Sequence, residues 1–195
     1  MESKEKNTKE KILEEALKLF AQSGYMGTSM NDIASKLGVT KAALYKHYKS
    51  KQEILDSIIE KMNELDIERV KLYEMPEGDL EKVTAEYKET AFDKIKQFTK
   101  VQFLHWTEEE FSSCFRKMMT LEQYREPQMA QLYQNYLASG PLAYMEALFS
   151  GMLGDAEKAR QTALDFYGPI FLLYSIYDGA EDKRHVIKLL EEHMD

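Results

Sequence analysis

The chain of 195 residues has a single cysteine, Cys114. It can form no internal disulfide, and a cytoplasmic setting is expected. Prolines number only four, and no segment keeps the two-residue alternation of a half-buried strand. Long apolar runs are missing too. The strongest, Phe171 to Tyr177, falls far short of the roughly 20 residues that cross a bilayer. The first ten residues are charged and have no apolar core, so no signal peptide is expected there. There is no glycine-rich phosphate loop and no Gly-x-Ser-x-Gly elbow. What remains is an expectation of an all-α chain, long enough to bury a core without cross-links, and not an enzyme.

The net charge of -8 argues at first against nucleic acid. Its distribution reverses that. Residues 1–51 carry ten lysines against six acids, a balance of +4, while the remainder carries 16 basic and 28 acidic residues, a balance of -12. A basic end on an acidic body is the asymmetry expected when one end meets DNA.

Helical periodicity runs almost throughout. Ile12, Leu13, Ala16, Leu17 and Phe20 form one apolar stripe, with Thr8 as expected N-cap and Gly24 just past the last turn. Ser29 caps a short helix bearing Ile33, Ala34 and Leu37. Gly38-Val39-Thr40 turns the chain, and a second short helix covers about Lys41 to Tyr48. Ser50 and Glu53 have the spacing of a capping box and open a long helix that ends before Glu74-Met75-Pro76-Glu77-Gly78. One helix is then predicted from Asp79 to about His105. Thr107 and Glu110 suggest a capping box for the next, Pro127 suits the first position of another, and Ser139-Gly140-Pro141 interrupts it. Gly154-Asp155 opens a long helix to Tyr177 with Pro169 inside it, and Glu181 to His193 forms the last. The functional division is placed at 1–52 and 53–195.

The most informative stretch runs from Thr28 to Leu55. The second helix of a helix-turn-helix pair enters the major groove by its N-terminal end. Here that end is Thr40, Lys41 and Ala42, with Tyr45 one turn on. Thr40 can meet a base or a phosphate, Lys41 can donate to a guanine edge, and Ala42 allows close approach or contact with a thymine methyl. Thr28, Ser29, His47, Tyr48 and Lys51 flank the groove and suit phosphate contacts, Lys51 beside a helix N-terminus.

This stretch, together with Ile12 to Gly27, resembles the DNA-binding region of the TetR family. The residues that carry the resemblance are Phe20, Gly24-Tyr25, Thr28-Ser29, Ile33-Ala34, Leu37-Gly38-Val39, Leu44-Tyr45, His47-Tyr48, Ser50-Lys51 and Leu55. It covers about the first quarter of the chain, and departs mildly at Tyr48, where the family more often has Phe. It implies a three-helix reader of double-stranded DNA followed by an all-helical domain that dimerises and binds a small molecule. It does not imply which molecule.

In that second part, polar groups punctuate apolar helices. Phe98, Gln102, His105 and Tyr124 are the expected lining of a pocket for a mostly apolar effector. No metal site is expected: His105 and Cys114 are nine apart, and the acids near His105 read as a solvated helix end. No cofactor is expected either. Ala163, Phe166, Tyr167, Ile170, Leu173, Tyr174 and Tyr177, with Val186, Ile187, Leu189, Leu190 and Met194, mark a surface on the last two helices that either forms a homodimer or packs internally. A two-fold pair of readers would suit a palindromic operator. The resulting expectation is a TetR-type repressor released by its effector. Two readings compete with it: a DNA-binding dimer without an inducer, and a helical enzyme with a vestigial reader.

Overall fold

The low proline content and the caps read above yield eleven α-helices among the described residues of a computed structural model. Residues 2–195 are described, with side chains from residue 7 onward; the side chains of Lys4 and Lys6, part of the basic end, lie outside them. The helices are α1 (Glu2–Ser23), α2 (Met30–Leu37), α3 (Lys41–Tyr45), α4 (Lys51–Leu72), α5 (Leu80–Glu89), α6 (Phe92–Thr107), α7 (Glu110–Glu122), α8 (Pro127–Leu137), α9 (Ser139–Leu153), α10 (Ala156–Gly179) and α11 (Lys183–Met194). No helix among the described residues is long and apolar enough to cross a membrane.

The chain packs as two units. The first comprises residues 1–68 and 110–131, the second 69–109 and 132–195. These packing units differ from the functional division placed after residue 52, because α7 packs on α1. In the first unit, Ala16, Leu17 and Phe20 of α1 are fully buried, as are Ile33 of α2, Ile54, Leu55, Ile58 and Met62 of α4, and Phe115, Met118 and Met119 of α7. In the second unit α10 is central and packs on α6, α9 and α11. Its buried face, Ala163, Tyr167, Ile170, Leu173, Tyr174 and Tyr177, holds Phe103 of α6. That ring stacks on Tyr174 at 5.2 Å and meets the edge of Tyr177 at 5.7 Å.

Four local expectations need correction. Helix α1 begins at Glu2, ahead of the expected cap at Thr8. The helix read from Asp79 to His105 is two helices. Thr90 and Ala91 are extended, with ψ 128° and 133°, and Thr90 Oγ1 turns back to donate to Glu86 O at 2.8 Å, the hydroxyl-to-backbone competition that unsettles helices. Thr107 does not cap α7. It ends α6, donating its hydroxyl to Phe103 O at 2.7 Å. Finally, much of the surface assigned to the last two helices is internal: Ala163, Tyr167, Ile170, Leu173, Tyr174, Tyr177, Val186, Leu190 and Met194 are all buried within the chain. The apolar side chains that α10 leaves exposed are different ones: Leu164, Phe171, Leu172 and Ile176.

Candidate nucleic-acid interface

Short-range hydrogen bonds fix the geometry of α2 and α3. Ser29 and Asp32 form a reciprocal capping box: Asp32 N donates to Ser29 Oγ at 3.2 Å and Ser29 N donates to Asp32 Oδ2 at 2.8 Å. The Ser29 hydroxyl, then its backbone amide, hold the Asp32 carboxyl below the usual carboxylate range. Helix α2 ends on Gly38, whose φ of 67° is the left-handed conformation that favours glycine. Two residues later Thr40 Oγ1 accepts from Ala43 N at 3.2 Å and starts α3. The expected cap on α4 is present: Glu53 N donates to Ser50 Oγ at 3.1 Å, while Glu53 Oε2 accepts from Lys49 N at 2.6 Å, one residue before the position a reciprocal box would use.

This scaffold buries Leu44 and leaves Thr40, Lys41, Ala42 and Tyr45 exposed at the start of α3. Lys41 Nζ lies 5.8 Å from the Tyr45 ring centroid, so the two project together. Ser29 is exposed on the neighbouring helix start. His47 is half-buried and lines a cleft of about 270 Å³ with Asn7, Thr8 and Lys11 of α1 and Val39 of the turn.

The other three expected contacts sit differently. Thr28 is buried and its hydroxyl donates to Gly24 O at 2.9 Å, so its side chain secures the turn before α2. Tyr48 is buried, and that burial pushes its phenol up. The ring packs as the family's more usual Phe would. Lys51 points inward: Nζ donates to Tyr25 O at 2.6 Å and Thr28 O at 2.8 Å, and lies 4.2 Å from the Tyr25 ring centroid. Sequence spacing does not reveal this inward turn, because the two carbonyls lie more than twenty residues upstream.

The expected effector residues divide. Phe98 lies against Tyr73 at 6.0 Å. Gln102 Oε1 accepts from Arg69 Nη1 at 3.0 Å. His105 is fully buried, with Nδ1 in reach of Arg69 Nη2 and 2.7 Å from Glu109 Oε2. A guanidinium only donates, so Nδ1 serves Arg69 when bare and Glu109 when protonated, not both. Arg69 is 7% exposed; sequence reading missed it, since nothing local marks an arginine as buried. Tyr124, by contrast, is 89% exposed and lies in the first unit, so it does not join the other three. A cleft of about 460 Å³ in the second unit is lined by Glu74, Met75, Pro76, Ala85, Glu86, Glu89 and Thr90, and by none of the expected residues. No group of three or more His, Cys, Asp or Glu among the described residues is arranged to hold a metal ion.

The capped pair α2–α3 packed on α1 defines a helix-turn-helix module. Comparison with known proteins carries this further. Residues 12–58 match the family model of bacterial regulatory proteins, tetR family. The chain is 42% identical over 52 residues to the biofilm operon icaADBC HTH-type negative transcriptional regulator IcaR of Staphylococcus epidermidis, a match spanning 27% of this chain and 28% of that protein. The chain thus matches little more than a quarter of that relative's length. Over almost its whole length it shares the fold of solved regulators. A transcriptional regulator of the TerR/AcrR family from Aquifex aeolicus superposes with TM-score 0.64 at 22% identity, covering 95% of this chain and 96% of that one. AibR, solved in complex with isovaleryl coenzyme A and operator DNA, superposes with TM-score 0.62 at 19% identity, covering 94% and 95%. Residues 12–58 thus carry a DNA-binding region of the tetR-family type, in a chain with the fold of solved regulators.

Proposed function

We propose that the protein is a dimeric repressor that binds a two-fold symmetric DNA site and is released by a small, mostly apolar molecule. The observation that carries the reading is the exposed face of α3, where a Thr40 cap presents Lys41, Ala42 and Tyr45 side by side. A helix start of this kind reads base edges in the major groove. Ser29 and His47 supply flanking phosphate contacts, while Thr28, Tyr48 and Lys51 hold the frame. The basic balance of residues 1–51 supplies the non-specific attraction.

One reader spans too few base pairs for specificity, and a dimer supplies the second. Leu164, Phe171, Leu172 and Ile176 of α10 are exposed at helical spacing, with the small residues Gly168 and Ser175 between them. An apolar stripe with small residues allows a second copy of the helix close approach. On α11 the exposed positions are Arg184, His185, Lys188, Glu191 and Glu192, so α10 supplies the apolar part of the interface. Negative regulation follows the role in IcaR's name, and an effector follows the ligand in the AibR complex. The functional division after residue 52 assigns reading to the first part and sensing to the second, with Phe98, Gln102 and His105 on the sensing side.

The test is selection of bound fragments from random DNA, followed by affinity measurements across salt. The expected result is a palindrome whose half-sites are about one helical turn apart, and binding that falls steeply with salt. Affinity that stays flat with salt, or no enriched sequence, refutes the reading. Binding that a small molecule cannot displace favours the dimer without an inducer.

A further inference from the structure

Glu122, near the end of α7, is fully buried, and neither carboxylate oxygen has a hydrogen-bond partner. Arg125 Nη1 lies 3.9 Å from Oε1, but that side chain is 69% exposed. A buried carboxylate without hydrogen bonds is costly unless an opposite charge compensates. The carboxylate lies directly on Gly24: a Cβ there would sit 1.9 Å from Oε1. Gly24 is therefore required twice over, by this contact and by its φ of 80°.

Around that contact the reader's turn is tied together. Gly24 O accepts from Thr28 Oγ1, and Lys51 Nζ donates to Tyr25 O and Thr28 O. Burial pulls the Lys51 ammonium down, while the charges of Glu122 and Glu126 push it back up. The acidic charges of Glu122 and Glu126 thus offset part of the desolvation of the half-buried Lys51 ammonium. A second link runs alongside: Tyr25 Oη donates to Gln52 Oε1 at 3.0 Å, and Gln52 Nε2 donates to Gln128 Oε1 at 3.1 Å. Residue 29, next after this turn, is the cap of α2.

We propose that Glu122 is a positioning residue for the DNA-reading face: seated on Gly24 and within Coulombic reach of Lys51, its carboxylate holds the α1–α2 turn and the first turn of α4 in the geometry that presents Ser29 and the start of α3 to DNA. The effect on DNA rests on the function proposed above. The effect on the turn does not.

Both are tested on the full-length chain with Glu122→Gln, which keeps volume and removes charge, Lys51→Met, which keeps the stem and removes charge, and the double variant. Backbone hydrogen exchange over residues 24–30, without DNA, is expected to quicken in Glu122→Gln. Affinity for the selected DNA site is expected to fall at least about fivefold, with unrelated DNA and the melting temperature little changed. Adding Glu122→Gln to Lys51→Met should cost nothing more, because the partner charge is already gone. Unchanged exchange and affinity in a folded Glu122→Gln overturn the proposal. So does full additivity with Lys51→Met, or an equal loss on both DNAs that tracks a fall in melting temperature. If Glu122→Gln does not fold, unchanged exchange in Lys51→Met overturns it. If the wild-type chain binds no DNA, the function proposed above fails while the exchange measurement still decides the role of Glu122.

Discussion

Replacing Leu172 tests whether the exposed stripe of α10 joins two copies, separately from the surface that folds one. Leu172 is 59% exposed on α10, whereas Ile170 two residues earlier is 4% exposed. Fully burying a leucine side chain gains about 1.5–3 kcal/mol. Covering the exposed part of Leu172 in a dimer therefore gains roughly 1–2 kcal/mol per copy, and a two-fold axis counts it twice. Leu172→Ala should weaken the dimer by roughly 2–3.5 kcal/mol, or about 30- to 400-fold in dissociation constant. Leu172→Asp adds two buried like charges and should leave monomers at micromolar concentration. Both changes fall on a mostly exposed side chain, so the monomer's own stability should shift far less than it does on truncating buried Ile170, by roughly 0.5–1 kcal/mol. Ile170→Ala should behave in the opposite way, destabilising the fold itself by about 2–5 kcal/mol. Sedimentation equilibrium reads the first quantity and denaturant titration at fixed protein concentration the second. A Leu172→Asp chain with an undiminished dimer constant would refute the assignment of this face, and a monomeric wild type would refute the dimer.

Three further outcomes follow from the geometry. Lys41→Ala and Tyr45→Ala should each cost about 1–3 kcal/mol on the selected DNA site and relax preference at particular base pairs; competition assays in which all sequences weaken alike would show that neither side chain reads bases. Burial, and then the Glu108 carboxylate that accepts its hydroxyl, hold the Tyr177 phenol up at about 12. An unfolded tyrosine ionises near 10, so the protonated form is favoured in the fold, and its contribution is complete below about pH 10 and lost as pH rises towards 12. Denaturant midpoints across that range should fall less steeply in Tyr177→Phe, and parallel curves would refute the shift. Trp106 is the one tryptophan and is 6% exposed, with its ring 5.0 Å from that of His105. Its emission should be blue-shifted, and an effector that binds beside α6 should change it; an effector that releases DNA with no spectral change binds elsewhere.

What the sequence disclosed about this fold is mostly what acts over a few residues. Ser29, Gly38, Thr40, Ser50, Pro127 and the Gly154-Asp155 pair all mark helix ends where the structure has them, because a cap needs only its own neighbours. The break at Thr90-Ala91 escaped because no glycine or proline marks it. The interior polar groups escaped for a different reason. Whether Lys51 faces phosphate or two carbonyls, whether Arg69 is buried, and whether Tyr124 is exposed depend on partners brought in from elsewhere in the chain, and periodicity carries no such information. The apolar surface of α10 shows both sides of this. Its pattern was visible, but an apolar position four residues along a helix looks the same whether a neighbouring helix of the same chain covers it or a second copy does.

The two polar clusters differ in what they can do for a switch. A typical allosteric coupling is about 1–3 kcal/mol. The cluster of Arg69, Gln102, His105 and Glu109 belongs to the second packing unit, and the cluster of Gly24, Lys51 and Glu122 to the first. Helix α4 carries Lys51 at one end and Arg69 near the other. Under the proposed function, an effector that draws Gln102 or Glu109 away from Arg69 would act on a residue of the helix that also bears Lys51. If the proposed effector and operator DNA bias one equilibrium, the coupling runs in reverse as well, and operator DNA is expected to weaken effector affinity by the same factor.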